Sequence, residues 1–233
     1  MIPNALWRQI HNLHHATIGN LDKRNINPEL WTMTKKEYRE SPAGMKLLYR
    51  IMRSRFNRLI ITPFALFIVA RLPLPRLNWK GKIAALVYDV LYACIIYFSL
   101  RFEFWQELLI IYLIPLFVFN IIATIIFYLQ HQFEDTLWMK DDQWDMYQAS
   151  IEGSSYLKLN PFFQWMTGNV GFHHIHHLNP NIPFYLLPKA HKTVEDHINY
   201  KEVRFYEILR HLKGKVWDEE SKRLIHYSGV NLK

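Results

Sequence analysis

Four histidines fall within five residues in the stretch Gly171-Phe172-His173-His174-Ile175-His176-His177. Each imidazole that is buried needs a partner for both ring nitrogens. Residues three and four apart share one face of a helix, so His173, His176 and His177 are predicted to aim three imidazoles at one point, with His174 facing elsewhere. The same HxxHH spacing recurs at His11, His14 and His15. Two copies indicate a metal site, and a basic surface cluster is the alternative.

The type of ligand narrows the choice of metal. Imidazole ligation without cysteine suits zinc, copper, nickel or iron, and six or seven histidines exceed the four ligands of a closed zinc site. Two metal ions are therefore implied. His131 follows an apolar run and precedes Glu134 and Asp135, and we predict it as a seventh ligand. His191, His197, His211 and His226 lack ligand spacing and are interpreted as surface or core residues.

Composition favours one membrane-embedded unit over residues 1–233. Half of the residues are hydrophobic, 15% are aromatic, and Cys94 is the only cysteine, which excludes a CxxC metal or redox site. The net charge of +8 would suit nucleic acid or an anionic membrane surface. Apolar runs favour the membrane, so we predict no nucleic-acid partner. Residues 16–57 are interpreted as amphipathic surface helices, with a disordered basic tail as the alternative.

Two apolar stretches are long enough to cross a bilayer, residues 83–100 and residues 108–130. Residues 59–70, which lead to Leu72-Pro73-Leu74-Pro75, are too short and are interpreted as a re-entrant or interfacial segment. The connector 101–107 holds one Arg and two Glu between flanks rich in Lys and Arg, so the positive-inside rule predicts cytoplasmic termini. The predicted fold is an all-α integral membrane protein: a hairpin of two transmembrane spans, interfacial helices and a cytoplasmic helical cap over residues 131–233.

Three stretches together resemble a known family. They are Trp7–Thr17, His131–Trp138 and Gly168–Pro183, and they are similar to the second and third histidine boxes of membrane fatty acid desaturases and their surroundings. The likeness is strongest to bacterial acyl-lipid desaturases of the omega-6 or delta-12 type. It implies a four-span fold with a cytoplasmic cap, a histidine-ligated di-iron centre, and O2-dependent insertion of a cis double bond into a fatty acyl lipid in the bacterial inner membrane.

The resemblance also implies roles for particular residues. The metal ligands and catalytic histidines would be His11, His14, His15, His173, His176 and His177, with His131 as the family's additional histidine ligand. His174 would have no ligand role and would lie behind the ligands. Because no haem-binding His-Pro-Gly-Gly, CxxC or glycine-rich nucleotide loop occurs, electrons would come from a separate donor of the ferredoxin or cytochrome b5 type.

In the family a first histidine box, of the HxxxH type, and two spans precede the second box, and this sequence starts too late to contain either of them. We expect the chain to be the C-terminal two-thirds of a longer desaturase, unable to desaturate by itself; loss of the site is the alternative. Two alternative functions are compatible with the same histidine boxes. One is a di-iron hydroxylase or ketolase acting on alkanes or carotenoids, and the other is a non-catalytic membrane protein with a decayed site.

Overall fold

The computed structural model describes residues 4–27, 31–69 and 78–230. It is mostly helical, and it divides into two compact units. The first comprises Met1–Leu13 and Phe56–Thr124, and the second comprises His14–Arg55 and Ile125–Lys233.

Twelve α-helices and four strands occur in the described residues. The helices are α1 (Asn4–Thr17), α2 (Lys35–Glu40), α3 (Ala43–Met52), α4 (Thr62–Val69), α5 (Trp79–Arg101), α6 (Trp105–Glu107), α7 (Ile114–His131), α8 (Met146–Glu152), α9 (Pro161–Met166), α10 (His173–Leu178), α11 (Leu187–Val194) and α12 (Ile208–His211). The strands are β1 (Ser155–Lys158), β2 (Lys201–Arg204), β3 (Lys215–Asp218) and β4 (Arg223–His226). Short 3-10 turns lie at Asp141–Gln143, Phe184–Leu186, Phe205–Glu207 and Tyr227–Gly229, and π-helical turns lie at Asn57–Ile61 and Leu108–Leu113.

Among the described residues, two helical stretches are long and apolar enough to cross a membrane, Trp79–Arg101 and Trp105–His131. Asn78 caps the first, because its side-chain oxygen accepts a hydrogen bond from the Gly81 N–H at 2.9 Å. In the first unit, the Tyr92 and Tyr112 hydroxyls lie 2.6 Å apart and join the two stretches. The predicted spans, residues 83–100 and 108–130, lie within these helices; their crossing of a bilayer stays a prediction.

The short apolar segment predicted at residues 59–70 lies in the first unit. The π-helical turn Asn57–Ile61 and α4 form one short helical run there. At 1.5 Å per residue this run reaches about 20 Å, less than the roughly 30 Å hydrocarbon core of a bilayer. Leu72-Pro73-Leu74-Pro75 lies outside the described residues.

In the second unit, part of the basic segment predicted as amphipathic helices is helical. Thr34 and Glu37 form a capping box at the start of α2, with the Glu37 N–H donating to Thr34 Oγ1 at 3.1 Å and the Thr34 N–H donating to Glu37 Oε2 at 2.8 Å. Tyr38 on α2 and Tyr49 on α3 are buried. The helices therefore contribute aromatic side chains to a core.

The prediction of a purely helical cap needs a correction. Strands β1 and β2 pair in parallel, and β3 pairs antiparallel with β4. Each strand has only four residues, too few for an alternating pattern to stand out in the sequence. The residues of β1 and β2 that pair are also more than 40 positions apart, so no local signal reveals the pairing. Buried Leu157 of β1 and Val203 of β2 join Leu129 and Phe133 in an apolar core.

Candidate metal centre

The loop before α10, the helix that carries the second HxxHH motif, is held by both β1 and α7. The Leu157 N–H of β1 donates to the Gly171 carbonyl at 2.9 Å, and Gln130 Nε2 of α7 donates to the Val170 carbonyl at 2.6 Å. Ile175, on the face of α10 directed into the core, packs with Phe172 and Leu187. Backbone pairing and apolar packing thus fix the position from which the histidines project.

Four buried histidines of the second unit converge, namely His14, His131, His173 and His177. Their potential ligand atoms all lie within 4.8 Å of one another. The Nε2 atom of His131 lies 2.8 Å from that of His173 and 3.2 Å from that of His14. The Nε2 atom of His177 lies 3.1 Å from that of His173 and 3.2 Å from that of His14.

These separations suit ligands of one metal ion. With metal–nitrogen distances of about 2.1 Å, neighbouring ligand nitrogens in tetrahedral or octahedral arrangements lie about 3.0–3.4 Å apart. Hydrogen bonds at the far side of two rings support the same conclusion. His131 Nδ1 lies 3.4 Å from the Gly153 carbonyl and His14 Nδ1 lies 3.3 Å from Asn27 Oδ1. A proton at each Nδ1 leaves lone pairs on both Nε2 atoms, and a cation between them removes their repulsion.

The electrostatic surroundings keep His173 and His177 of this cluster neutral. Burial holds the pKa of His173 well below its ordinary value, and the neighbouring imidazoles, His131 first, lower it further. Burial likewise lowers the pKa of His177, with His173 as the next cause. Because only the neutral imidazole has a lone pair for a metal, these side chains are in the form that binds metal at neutral pH.

A second pair of histidines adjoins the four-histidine cluster. The Nε2 atoms of His15 and His176 lie 3.1 Å apart, and the rings of His15 and His177 stack with centroids 4.2 Å apart. His11 precedes His15 by one turn of α1 and belongs to the first unit. The ring of His11 stacks on Trp7.

The prediction that one HxxHH motif aims three imidazoles at a single point is wrong. His173 and His177 join one cluster, whereas His176 faces His15. Successive helical residues are about 100° apart around the axis, so His177 lies about 40° from His173 but about 100° from His176. The same rotation separates His14 from His15. Each motif thus supplies both groups of histidines, which fits two metal ions.

His174 faces away from the cluster, as predicted, and meets a histidine that the sequence did not single out. His174 Nε2 lies 3.1 Å from His191 Nδ1, and the Tyr200 ring stacks on His174 at 5.0 Å. Burial, with His191 as a second cause, lowers the pKa of His174 to about 3. His197 and His226 are exposed and His211 is buried, as interpreted for surface or core residues. His191 follows His174 by 17 residues, a spacing that carries no ligand signal.

Comparison with known proteins identifies the family of the chain. The model of the fatty acid desaturase family matches residues 1–208, so the chain belongs to that family. It is 32% identical to a fatty acid desaturase of Bacillus subtilis (strain 168) over 99% of the chain and 65% of that protein. It is 25% identical to the sn-1 acyl-lipid omega-3 desaturase (ferredoxin) of Synechocystis sp., over 84% of the chain and 55% of that protein.

A further relative is the sn-1 oleoyl-lipid 12-desaturase of Picosynechococcus sp., 25% identical over 83% of the chain and 55% of that protein. The chain therefore spans a little under two thirds of the length of the Bacillus relative, and about half of the length of the cyanobacterial relatives.

Proposed function

We propose that the protein carrying this chain is an acyl-lipid desaturase that uses O2 and two histidine-bound irons to introduce a cis double bond. The observation that carries the proposal is the convergence of His14, His131, His173 and His177 beside the pair His15 and His176. Family membership supports the reaction class. Names of relatives that specify acyl lipids support the substrate class.

The proposed ligands fall into two sets. The first iron would be held by His14, His131, His173 and His177. The second would be held by His15 and His176, and the helical spacing of α1 adds His11. All are imidazoles, which suit iron, and those of the first set are buried.

When bound, the two irons supply the reduction of O2 to two waters, with two hydrogen atoms taken from adjacent acyl carbons and two electrons and two protons supplied from outside. The chain's own residues orient the histidine rings and exclude water from them. Gly153 and Asn27 fix the ring orientation of His131 and His14 through Nδ1. Phe127 packs beside both of these rings, with centroids 5.3 Å from His14 and 4.8 Å from His131, and limits access of water to them.

The two electrons require a partner. The relative from Synechocystis sp. carries ferredoxin in its name, and a donor of that type, or of the cytochrome b5 type, is proposed here. The net charge of +8 favours a donor with an acidic docking surface.

The proposed location is the bacterial cytoplasmic membrane, crossed by residues 83–100 and 108–130, with the histidines on the cytoplasmic side. The excess of Lys and Arg on both sides of the connector 101–107 supports this orientation. A reporter fused after residue 104 should be active outside the cytoplasm, and one fused after residue 233 inside. Reporters on the same side of the membrane would overturn the hairpin.

Ligand variants test the function. We expect His177→Ala and His131→Ala, made in the protein that carries this chain, to lower bound iron and to abolish new double bonds, because each removes one nitrogen of the four-histidine cluster. His174→Ala should have a milder effect. The control is His226→Ala, an exposed residue at the end of β4. Iron per chain is measured by metal analysis, and products by gas chromatography of total fatty acids.

Two results would contradict the proposal. Unchanged double-bond formation in His177→Ala would remove the ligand assignment. If the unaltered protein made hydroxylated acyl chains and no unsaturated ones, the protein would be assigned to the related hydroxylases.

A further inference from the structure

The segment around the second HxxHH motif lacks charged residues. Between Lys158 and Lys189 the sequence contains no Asp, Glu, Lys or Arg. In a domain surrounded by water, a segment of this length normally presents charged side chains to the solvent. The interior part of this segment, α10, is buried as the metal centre requires, but the parts on either side of it are not.

Helix α9 exposes its apolar residues and buries its polar one. Trp165 is 72% exposed and Phe162 is 61% exposed, whereas Gln164 is only 6% exposed. Gln164 points inward, where its Nε2 donates to the Leu157 carbonyl at 3.0 Å. An amphipathic helix in water has the opposite arrangement, with the apolar side chains against the core.

The turn Phe184–Leu186 extends this apolar surface. Phe184 is 58% exposed and Tyr185 is 64% exposed. Asn169 Nδ2, from the loop after α9, donates to the Phe184 carbonyl at 3.1 Å and ties the two segments together. The six exposed side chains are called the aromatic face below; they are Phe162, Phe163, Trp165, Met166, Phe184 and Tyr185.

Helix α11, which follows, shows that this exposure of apolar side chains is local. Helix α11 buries Leu187 and His191 and exposes Lys189, Lys192 and Thr193, which is the usual arrangement for water. The change occurs within the few residues between Tyr185 and Lys189. The surroundings of the aromatic face therefore differ from those of α11.

We propose that the aromatic face contacts the interfacial layer of a lipid bilayer. Trp and Tyr combine an apolar ring with a polar tip, which suits the boundary between acyl chains and headgroups. The exposed ammonium groups of Lys189 and Lys192 follow directly and complement lipid phosphates. Asn160 Oδ1 accepts from the Phe163 N–H at 3.0 Å, which satisfies a backbone donor that lipid could not.

This contact has a consequence for the histidines. The two segments of the aromatic face lie on either side of His173–His177 in the chain, so contact with lipid holds α10 near the bilayer surface. An acyl chain could then reach the site from the membrane. That consequence rests on the proposed function, whereas the lipid contact itself does not.

Site-directed fluorescence tests the lipid contact without iron or activity. Cys94, the only cysteine, is changed to Ser, and Trp165→Cys or Tyr185→Cys then carries an environment-sensitive fluorophore. The matched control is Thr193→Cys, an exposed position on α11. Each labelled chain is reconstituted into vesicles of phosphatidylcholine and phosphatidylglycerol. Quenching is compared between a lipid with a nitroxide near the headgroup end of its acyl chain and iodide in the water.

We expect the nitroxide to quench the labels at positions 165 and 185 several-fold more than iodide does, and the label at 193 to show the reverse. Two results would overturn the proposal. Iodide quenching at 165 and 185 equal to that at 193 would mean that the face is open to water. Protection from both quenchers would mean that protein, such as a second copy of this chain, covers it. Because two positions are labelled independently, failure of one variant to fold leaves the other informative.

Discussion

His174 Nε2 lies 3.1 Å from His191 Nδ1, and both rings are buried. His191 Nε2 in turn lies 3.4 Å from a carboxylate oxygen of Glu195. A carboxylate accepts hydrogen bonds, so it favours the proton on His191 Nε2, which leaves His191 Nδ1 to accept from His174 Nε2–H. This chain of hydrogen bonds holds the side of α10 that faces away from the four-histidine cluster.

We therefore expect His191→Ala to destabilise the protein. The variant leaves the buried Nε2–H of His174 without its acceptor, at a cost of about 1–3 kcal/mol. The thermal midpoint should fall, measured by circular dichroism in detergent. The control is His197→Ala, an exposed histidine close by in the chain, which should leave the midpoint unchanged. Equal midpoints for the two variants would show that the His174–His191 contact contributes no stability.

The four-histidine cluster and the His174–His191 pair differ in how far the sequence alone predicts them. The HxxHH spacing correctly predicts that His173 and His177 lie together, because four residues return nearly to the same side of a helix. The spacing does not show that His176 joins His15, since that depends on where the last turn of α1, His14–Thr17 in the second unit, lies beside α10. The partner of His174 comes from α11, and only the tertiary fold brings these two helices together.

His211 should make the protein sensitive to acid. Burial, with the nearby Lys215 as the second cause, lowers the pKa of His211 to about 4 from its ordinary 6.5. As the pH falls below 6.5, the unfolded chain takes up a proton at this histidine, while the folded chain does so only near 4. The stability that neutral His211 provides is therefore complete above 6.5 and is lost between 6.5 and about 4.

The measurement compares thermal midpoints at about pH 7.5 and about pH 5. We expect the thermal midpoint of the unaltered protein to be lower at the acidic pH than at the neutral pH. The midpoint of His211→Gln should decrease less, because glutamine does not titrate. Other buried histidines contribute to both proteins, so the difference between the two falls isolates His211. The exposed His197→Gln variant serves as the control and should match the unaltered protein. A fall in His211→Gln as large as in the unaltered protein would contradict the prediction.

The cap shows a similar limit of sequence reasoning for secondary structure. Long apolar runs predict α5 and α7, because their length leaves few other structures open. Strand β1 is different: Ser155–Lys158 gains its conformation from pairing with Lys201–Arg204 and from the Leu157–Gly171 hydrogen bond. Both partners are distant in the chain, so the local residues carry little signal for a strand.

Gly171 allows the loop before α10 to lie against β1. A Cβ atom at this position would lie 2.3 Å from the Leu157 carbonyl oxygen and 2.4 Å from Gln164 Nε2, far closer than such atoms can approach. The carbonyl belongs to a paired strand, and Gln164 is held by its own bond to that same carbonyl, so neither group can move freely. Gly171→Ala should therefore displace the start of α10 and cost about 1–3 kcal/mol or more.

The matched control is Gly44→Ala in α3, where an added Cβ atom meets no atom within 4 Å. Alanine is the better helix former by about 0.5–1 kcal/mol, so this variant should keep or slightly raise the thermal midpoint. Gly171→Ala should lower both the thermal midpoint and the iron bound per chain, because α10 begins at His173, only two residues later. A Gly171→Ala protein with the midpoint and iron content of Gly44→Ala would show that the loop does not need its close contact with β1.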